Sequence, residues 1–278
     1  MPTVLVTGAS TGIGEACALR LAGRGHRVYA GVRKEPDAER LRERAQGDLV
    51  AVFLDVTDEG QIDAVAKQIS EESGALHGLV NNAGIARGGP VEYLPLAEWR
   101  EQLEVNVIGQ VAVTKAMLPL IRKGAGRITF IGSIGGKVAT ALLGPYNASK
   151  FAIEAIGECL RHELRPWGIW VSVVEPGAIK TEIWRKGRDT ADRLERELPE
   201  EARRLYAVHL EAVKKAIDMQ ERRGVNAERV AAAVEHGLFS PRPRTRYLVG
   251  LDARIESGMV RLLPDRAREA IVRRMAGP

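Results

Sequence analysis

Two rhythms of hydrophobic positions alternate along this chain. Short β-branched and aliphatic runs at residues 3–7, 27–32, 49–54, 76–80, 127–131 and 169–174 read as buried strands. Between them, apolar residues recur at helical spacing, as Ile13, Cys17 and Leu21 do before Gly23 and Gly25 stop the run. Further helices are expected at 37–45, from Thr57 as N-cap to 73, from about 96 through Asn106, and through Tyr146. Six strand–helix alternations argue for an α/β fold with a doubly wound, mostly parallel sheet. Residues 184–224 are charged and helix-forming, and they interrupt the rhythm. A helix at 227–239, a Pro/Arg loop at 241–244, a seventh strand at 247–249 and a basic amphipathic helix within 259–275 complete the reading. Neither a repeat nor a splitting linker is present in the sequence, so one domain over 1–278 is expected. It carries a helical insertion at 182–225 and a C-terminal extension at 251–278.

Composition narrows the function classes. Hydrophobic residues make up 45% of 278, ample for a core. The 41 Lys+Arg against 36 Asp+Glu leave a net charge of +5 that is dispersed rather than striped, and aromatic residues are few. Together these exclude nucleic acid as the expected partner. Cys17 and Cys159 lie in helical patterns and read as packing residues of a reducing compartment. The N-terminus enters a strand at once, and apolar runs fall short of membrane-spanning length, so the expected location is cytoplasmic, with no integral membrane segment. The five histidines show no ligand spacing, so no metal is expected, and His162 reads as a surface residue.

The candidate chemistry sits at strand ends. The first strand runs into Thr7-Gly8-Ala9-Ser10-Thr11-Gly12-Ile13-Gly14 and then a helix, an arrangement that cradles anions. Gly8 permits the tight turn, Gly12 the approach of a pyrophosphate, and Gly14 close helix packing. The second strand ends in Val32-Arg33-Lys34, with no acid for a ribose 2′-hydroxyl. Arg33 there is either a reader of a 2′-phosphate or a solvent-facing loop residue. Asp55 at the third strand end suits an adenine contact. Asn81-Asn82-Ala83-Gly84 follows the fourth strand, and Asn81 reads equally as part of a nucleotide crevice or as a clamp between strands. Asn106 lies among Val105, Val107 and Ile108 and needs buried partners.

Ser133 follows the fifth strand, and Tyr146 and Lys150 are four apart on one helical face. A hydroxyl, a phenol and an ammonium can therefore converge. A nearby cation favours the phenolate, and lowering the phenol pKa by about two units corresponds to roughly 2.7 kcal/mol. Tyr146 then becomes a general acid/base, with Ser133 steadying charge on the same substrate oxygen.

These residues, in this order and spacing from 3 to about 181, resemble the short-chain dehydrogenase/reductase family of the single-domain kind. The motifs are Thr7-Gly8-xxx-Gly12-x-Gly14, Asn81-Asn82-Ala83-Gly84, Asn106, Ser133, Tyr146-xxx-Lys150 and Pro176-Gly177-xxx-Thr181. A looser likeness in Arg242 to Gly250 points to the branch of retinol and hydroxysteroid dehydrogenases. The resemblance implies a Rossmann-like sheet of seven strands and hydride transfer between a nicotinamide and a secondary alcohol or ketone. It implies Tyr146 as acid/base, Ser133 on the reacting oxygen, and Lys150 lowering the Tyr146 pKa while holding the nicotinamide ribose. Asn106 would complete a proton relay, and Ile179 and Thr181 would hold the carboxamide. Cofactor contacts would come from Gly8, Ser10, Thr11, Gly12, Ile13, Gly14, Arg33, Asp55, Val56, Asn82, Ala83, Gly84, Tyr146, Lys150, Pro176, Gly177, Ile179 and Thr181. Phosphate-preferring members often carry a basic residue where this chain has Thr11, so NADP(H) is favoured through Arg33, with NAD(H) as the alternative. The expected substrate is a small apolar molecule, steroid- or retinoid-like. The runner-up is a small polar or quinone-like carbonyl, and the non-enzymatic alternative is a nucleotide-binding sensor. The resemblance also implies a homodimer or homotetramer.

Overall fold

Strand residues alternate strictly between two cores. A computed structural model describes residues 1–180, 192 and 196–276; the expectation for Thr181 and the start of the expected insertion lie outside them. Val4 and Val6 of β1 (Thr3–Val6) and Val28, Ala30 and Val32 of β2 (Arg27–Val32) face one core. Leu5 and Tyr29 face the other. A strand buried on both faces has no polar side, which is why these runs read as continuous apolar segments. The remaining strands of the sheet are β3 (Leu49–Phe53), β4 (Gly78–Asn81), β5 (Arg127–Ile131), β6 (Trp170–Pro176) and β9 (Arg246–Val249). Their order is β3-β2-β1-β4-β5-β6-β9, with every pair parallel. The expected seven-stranded, doubly wound sheet is therefore what forms.

Helices α1 (Gly12–Gly23), α2 (Glu35–Arg44) and α8 (Ala227–Phe239) cover the first face. Helices α3 (Glu59–Ser73), α5 (Gly109–Lys123) and α6 (Gly144–Glu163) cover the second. The helix expected around Asn106 is interrupted. After α4 (Leu96–Leu103) comes a wider π turn at Glu104–Ile108, and only then α5. Within Leu96–Lys123 an 18-residue stretch has a mean hydropathy of 1.2, and the helix is long and apolar enough to cross a membrane by length and composition alone. That corrects the reading that no run is long enough, although buried Gln102, Asn106, Gln110 and Thr114 lie within it.

Two other expectations change. The N-cap of α3 is Asp58, whose carboxylate accepts the Gln61 N–H, rather than Thr57. Cys159 is exposed, whereas Cys17 is packed as expected. The insertion yields α7 (Glu200–Arg223) and a two-stranded parallel ribbon, β7 (Ile179–Lys180) with β8 (Val225–Asn226). The C-terminal extension forms two helices rather than one, α9 (Leu251–Leu262) and α10 (Asp265–Ala276).

Candidate active site

Short polar side chains lock the turn after β1 to the turn after β4. The Thr7 hydroxyl donates to the Val80 carbonyl and accepts the Asn82 and Ala83 N–H groups at 2.9 and 3.0 Å. Asn82 Nδ2 donates to the Thr7 and Gly8 carbonyls, each at 2.9 Å. Gly8 and Gly12 have φ of +62° and +63°, where a side chain is strained. A Cβ on Gly14 would lie 2.2 Å from the Gly8 carbonyl oxygen, so the first turn of α1 rests directly on the turn before it. Thr11, the N-cap of α1, makes no side-chain cap, which leaves the first-turn N–H groups of that helix as donors. A cradle too tight for any Cβ, with uncapped helix donors, fits a dinucleotide pyrophosphate.

The adenosine end is less organised. The Arg33 side chain is 67% exposed, with Nη1 3.5 Å from Asp55 Oδ2. Asp55 Oδ1 accepts from Thr57 N and Oγ1 at 3.0 and 2.8 Å. Burial pushes the Asp55 carboxyl up, but the Thr57 bonds and Arg33 pull it further down, below the usual range. Val56 is buried, its carbonyl against Gly109. Ser10 presents its carbonyl to Arg40 of α2. Asn81 is wholly buried and donates to Thr114 Oγ1 at 2.8 Å, which ties β4 to α5 and not to a second strand.

The second half of the site stands on β5 and α6. Ser133 follows β5 by way of Gly132 and opens a 3₁₀ turn, Ile134–Gly136, its hydroxyl accepting the Gly135 N–H at 3.0 Å. Tyr146 sits in the first turn of α6, its ring against the Ser133 turn and near enough for the Ser133 hydroxyl to act on the phenol. Lys150 Nζ donates to the Ile131 carbonyl at 2.8 Å and lies 5.8 Å from the centre of the Tyr146 ring. The three groups expected to converge do so. The expected direction of the Tyr146 pKa does not appear. Burial raises it, and the nearby Ser133 hydroxyl only partly pulls it back. The reason is that Lys150 shares the dry pocket and spends its ammonium on Ile131; its own pKa is lowered to about 8 by burial, against the raising effect of Glu154.

Asn106 is held on both amide atoms. Its Oδ1 accepts the Ile85 N–H at 2.8 Å, and its Nδ2 donates to the Ile85 carbonyl and to Ser149 Oγ. Gly84 packs on the same amide. Pro176 ends β6, and the Gly177 N–H donates to Val249. Ile179 is a buried residue of β7, paired with Val225.

Several site residues were not singled out from sequence. Asn147 donates to the Gly135 carbonyl at 2.8 Å and accepts the Thr140 N–H, binding the Ser133 turn to α6. Its place beside Tyr146 was the available signal. Asp252 Oδ2 accepts the Ala178 N–H at 2.6 Å and fills the space that a side chain at Gly177 would need. Gln102 Oε1 accepts the Arg87 N–H and its Nε2 donates to Ile85, doubling the Asn106 clamp. A charged cluster of Glu154, Glu175, Lys137 and Arg246 lies behind Lys150. Its members are too far apart in sequence for any local pattern to join them.

Residues 2–192 match the family model described as short chain dehydrogenase. The chain is 34% identical to NADPH-dependent 3-dehydrocapnine reductase of Ornithobacterium rhinotracheale over 98% of this chain and 96% of that one. It is 36% identical to 17-beta-hydroxysteroid dehydrogenase type 6 of Bos taurus over 98% and 87%. Among solved structures, a short chain dehydrogenase/reductase from Burkholderia phymatum in complex with NAD superposes with a TM-score of 0.80 at 25% identity, covering 100% of this chain and 97% of that one.

Proposed function

The chain belongs to the short-chain dehydrogenase family, and on that premise we propose that it is an NADP(H)-dependent oxidoreductase of an apolar secondary alcohol or ketone. The observation that carries this is the meeting at one point of Tyr146, Ser133, close enough to lower the phenol's pKa, and the Lys150 ammonium, 5.8 Å from the ring centre.

When bound, the nicotinamide supplies or accepts the hydride at the carbinol carbon. The protein's own residues do the rest. Ser133 donates to the substrate oxygen and holds it against the Tyr146 phenol. Tyr146 passes its proton to that oxygen in reduction and takes it back in oxidation. A phenol with a raised pKa arrives protonated at neutral pH, which suits reduction. Lys150 stands beside the phenolate that forms, stabilises it, and offers its remaining N–H donors to a ribose. Asn106 anchors the relay that returns the proton to solvent. The glycine cradle with Asn82, Ala83 and Gly84 would seat the dinucleotide, and the family likeness gives its carboxamide to Ile179 and Thr181. Arg33 can leave its long, exposed pairing with Asp55 for a 2′-phosphate, which offers paired charge-assisted bonds.

An apolar substrate is supported by a separate hydrophobic cluster. Leu142, two residues before α6, packs with Leu198 and with Ala202 and Leu210 of α7, flanked by Tyr93 and Tyr206. The insertion thus brings apolar side chains to the loop just before Tyr146. A turnover screen of steroid, retinoid, long-chain, short polar and quinone carbonyls with NADPH and NADH tests the proposal. Reduction of apolar ketones with NADPH is the expected result. Turnover confined to polar or quinone carbonyls would move the assignment to the runner-up, and tight dinucleotide binding without turnover would move it to a sensor.

A further inference from the structure

A buried cation needs a reason to keep its proton. Lys150 is 6% exposed, and its one direct partner is a neutral carbonyl, that of Ile131. One turn further along α6, Glu154 points to the same strand end. A Cβ on Gly132, next to Ile131, would lie 3.3 Å from Glu154 Oε1, and one on Gly136 would lie 3.3 Å from Glu154 Cγ. Two glycines therefore make the room in which this carboxylate sits. Its other oxygen, Oε2, accepts from Arg246 Nε at 2.9 Å. The same nitrogen stands 3.4 Å from Oε1 of Glu175, which is 0% exposed at the end of β6. Lys137 Nζ reaches Glu175 Oε2 at 3.1 Å, and Arg246 Nη2 reaches Glu158 at 3.0 Å.

We infer that Glu154, backed by Glu175 and clamped by Arg246 and Lys137, is a positioning residue that sets the charge state of Lys150. This rests on the reading of Lys150 given above. The groups facing this pocket are Tyr146, Glu154, Glu158 and Arg161 from α6, Lys137 from the turn after β5, Glu175 from β6 and Arg246 from β9. Of these, Glu154 is the carboxylate that raises the Lys150 pKa. Burial and Glu154 push Glu175 up to about 7, with Lys137 and Arg246 pulling it down. The second carboxyl can therefore take a proton near neutrality, which removes a like charge from beside Glu154. The cluster acts through Lys150 and need touch neither substrate nor cofactor.

The test reads Lys150 directly. Protein labelled at lysine Cε is titrated by NMR, with the Lys150 signal assigned through Lys150→Arg. The wild-type midpoint is expected at about 8. In Glu154→Gln it should fall by about one pH unit, a tenfold loss of proton affinity. NADPH affinity should weaken over the same shifted pH range, whereas a merely structural change would weaken it at every pH alike. Glu175→Gln, which removes the second carboxyl but keeps Glu154, should leave the Lys150 midpoint in place and abolish the smaller step near pH 7. An unchanged midpoint in folded Glu154→Gln overturns the inference. A shifted midpoint in a protein that turns over no ketone upholds it and overturns the proposed activity instead. Should Glu154→Gln not fold, Glu154→Asp, with the charge drawn back by a methylene, must show a smaller fall; no fall there also overturns it.

Discussion

The two halves of the site are stabilised by opposite means. Around the glycine turn the bonds are neutral and local to two strand ends: Thr7 and Asn82 to backbone groups, and glycines where any Cβ would collide. Around Tyr146 the supports are ionised side chains taken out of water: Lys150, Glu154, Glu175, Lys137 and Arg246. A cradle for a ligand's anion gains from backbone donors that need no charge of their own. A site that must move a proton needs groups whose charge can change, and burial is what brings Lys150 and Glu175 toward neutrality. Rigidity is therefore concentrated in one half and titration in the other.

Truncating one side chain in each half sharpens that contrast. Tyr146→Phe should lower turnover by at least about 10²-fold while NADPH binds nearly as before, since the phenol handles the proton and not the pyrophosphate. Steady-state rates and a fluorescence titration check both; turnover within a few-fold of wild type sinks the assignment. Asn82→Ala, in the neutral half, should cost stability instead. Two buried bonds to Thr7 and Gly8 are lost and two carbonyls are left unpaired, about 2 kcal/mol by chemical denaturation.

pH should separate the halves next. Glu175 has its pKa raised to about 7, so the folded state holds a proton that the unfolded chain has released; stability from this group is full below the ordinary carboxylate value of 4.5 and is lost as pH rises through 7. Lys150 is lowered to about 8 from 10.5, so its contribution is full above 10.5 and is lost as pH falls through 8. Amides of β5, β6 and α6 should thus show least protection between pH 7 and 8, by on the order of 2 kcal/mol, while those of β1 and α1 stay level. Hydrogen exchange corrected for intrinsic rates reads this, and parallel behaviour of both halves would erase the distinction. The smallest effect is expected at the exposed edge of the cradle. Arg33→Ala should weaken NADPH by about 10-fold and NADH little, because a single charge-assisted contact is at stake. Equal weakening of both would return Arg33 to the status of a solvent-facing residue.

The same division decides what could be read from sequence. The glycine turn, Asn82, Ser133 and the Tyr146–Lys150 pair were legible because each is local, fixed by spacing within one turn or one helix face. Strand alternation was legible because both sheet faces are buried. Asp252 beneath Gly177, and Arg246 between Glu154 and Glu175, were not, since β9 and α9 bring them in from 70 or more positions away. The direction of the Tyr146 pKa failed for a related reason. Spacing placed the cation beside the phenol but said nothing about how little water reaches either. The break of the Asn106 helix into a π turn likewise has no local signal, because it serves bonds to Ile85 across the site.

Isotope transfer tests the central claim most directly. The protein is given NADPH carrying deuterium in both C4 positions of the nicotinamide and an apolar ketone, and the amount and label of the alcohol are read by mass spectrometry. The account predicts a single deuterium on the carbinol carbon, delivered by wild type and nearly lost in Tyr146→Phe. An alcohol formed without the label, or equal labelling by both proteins, would contradict it.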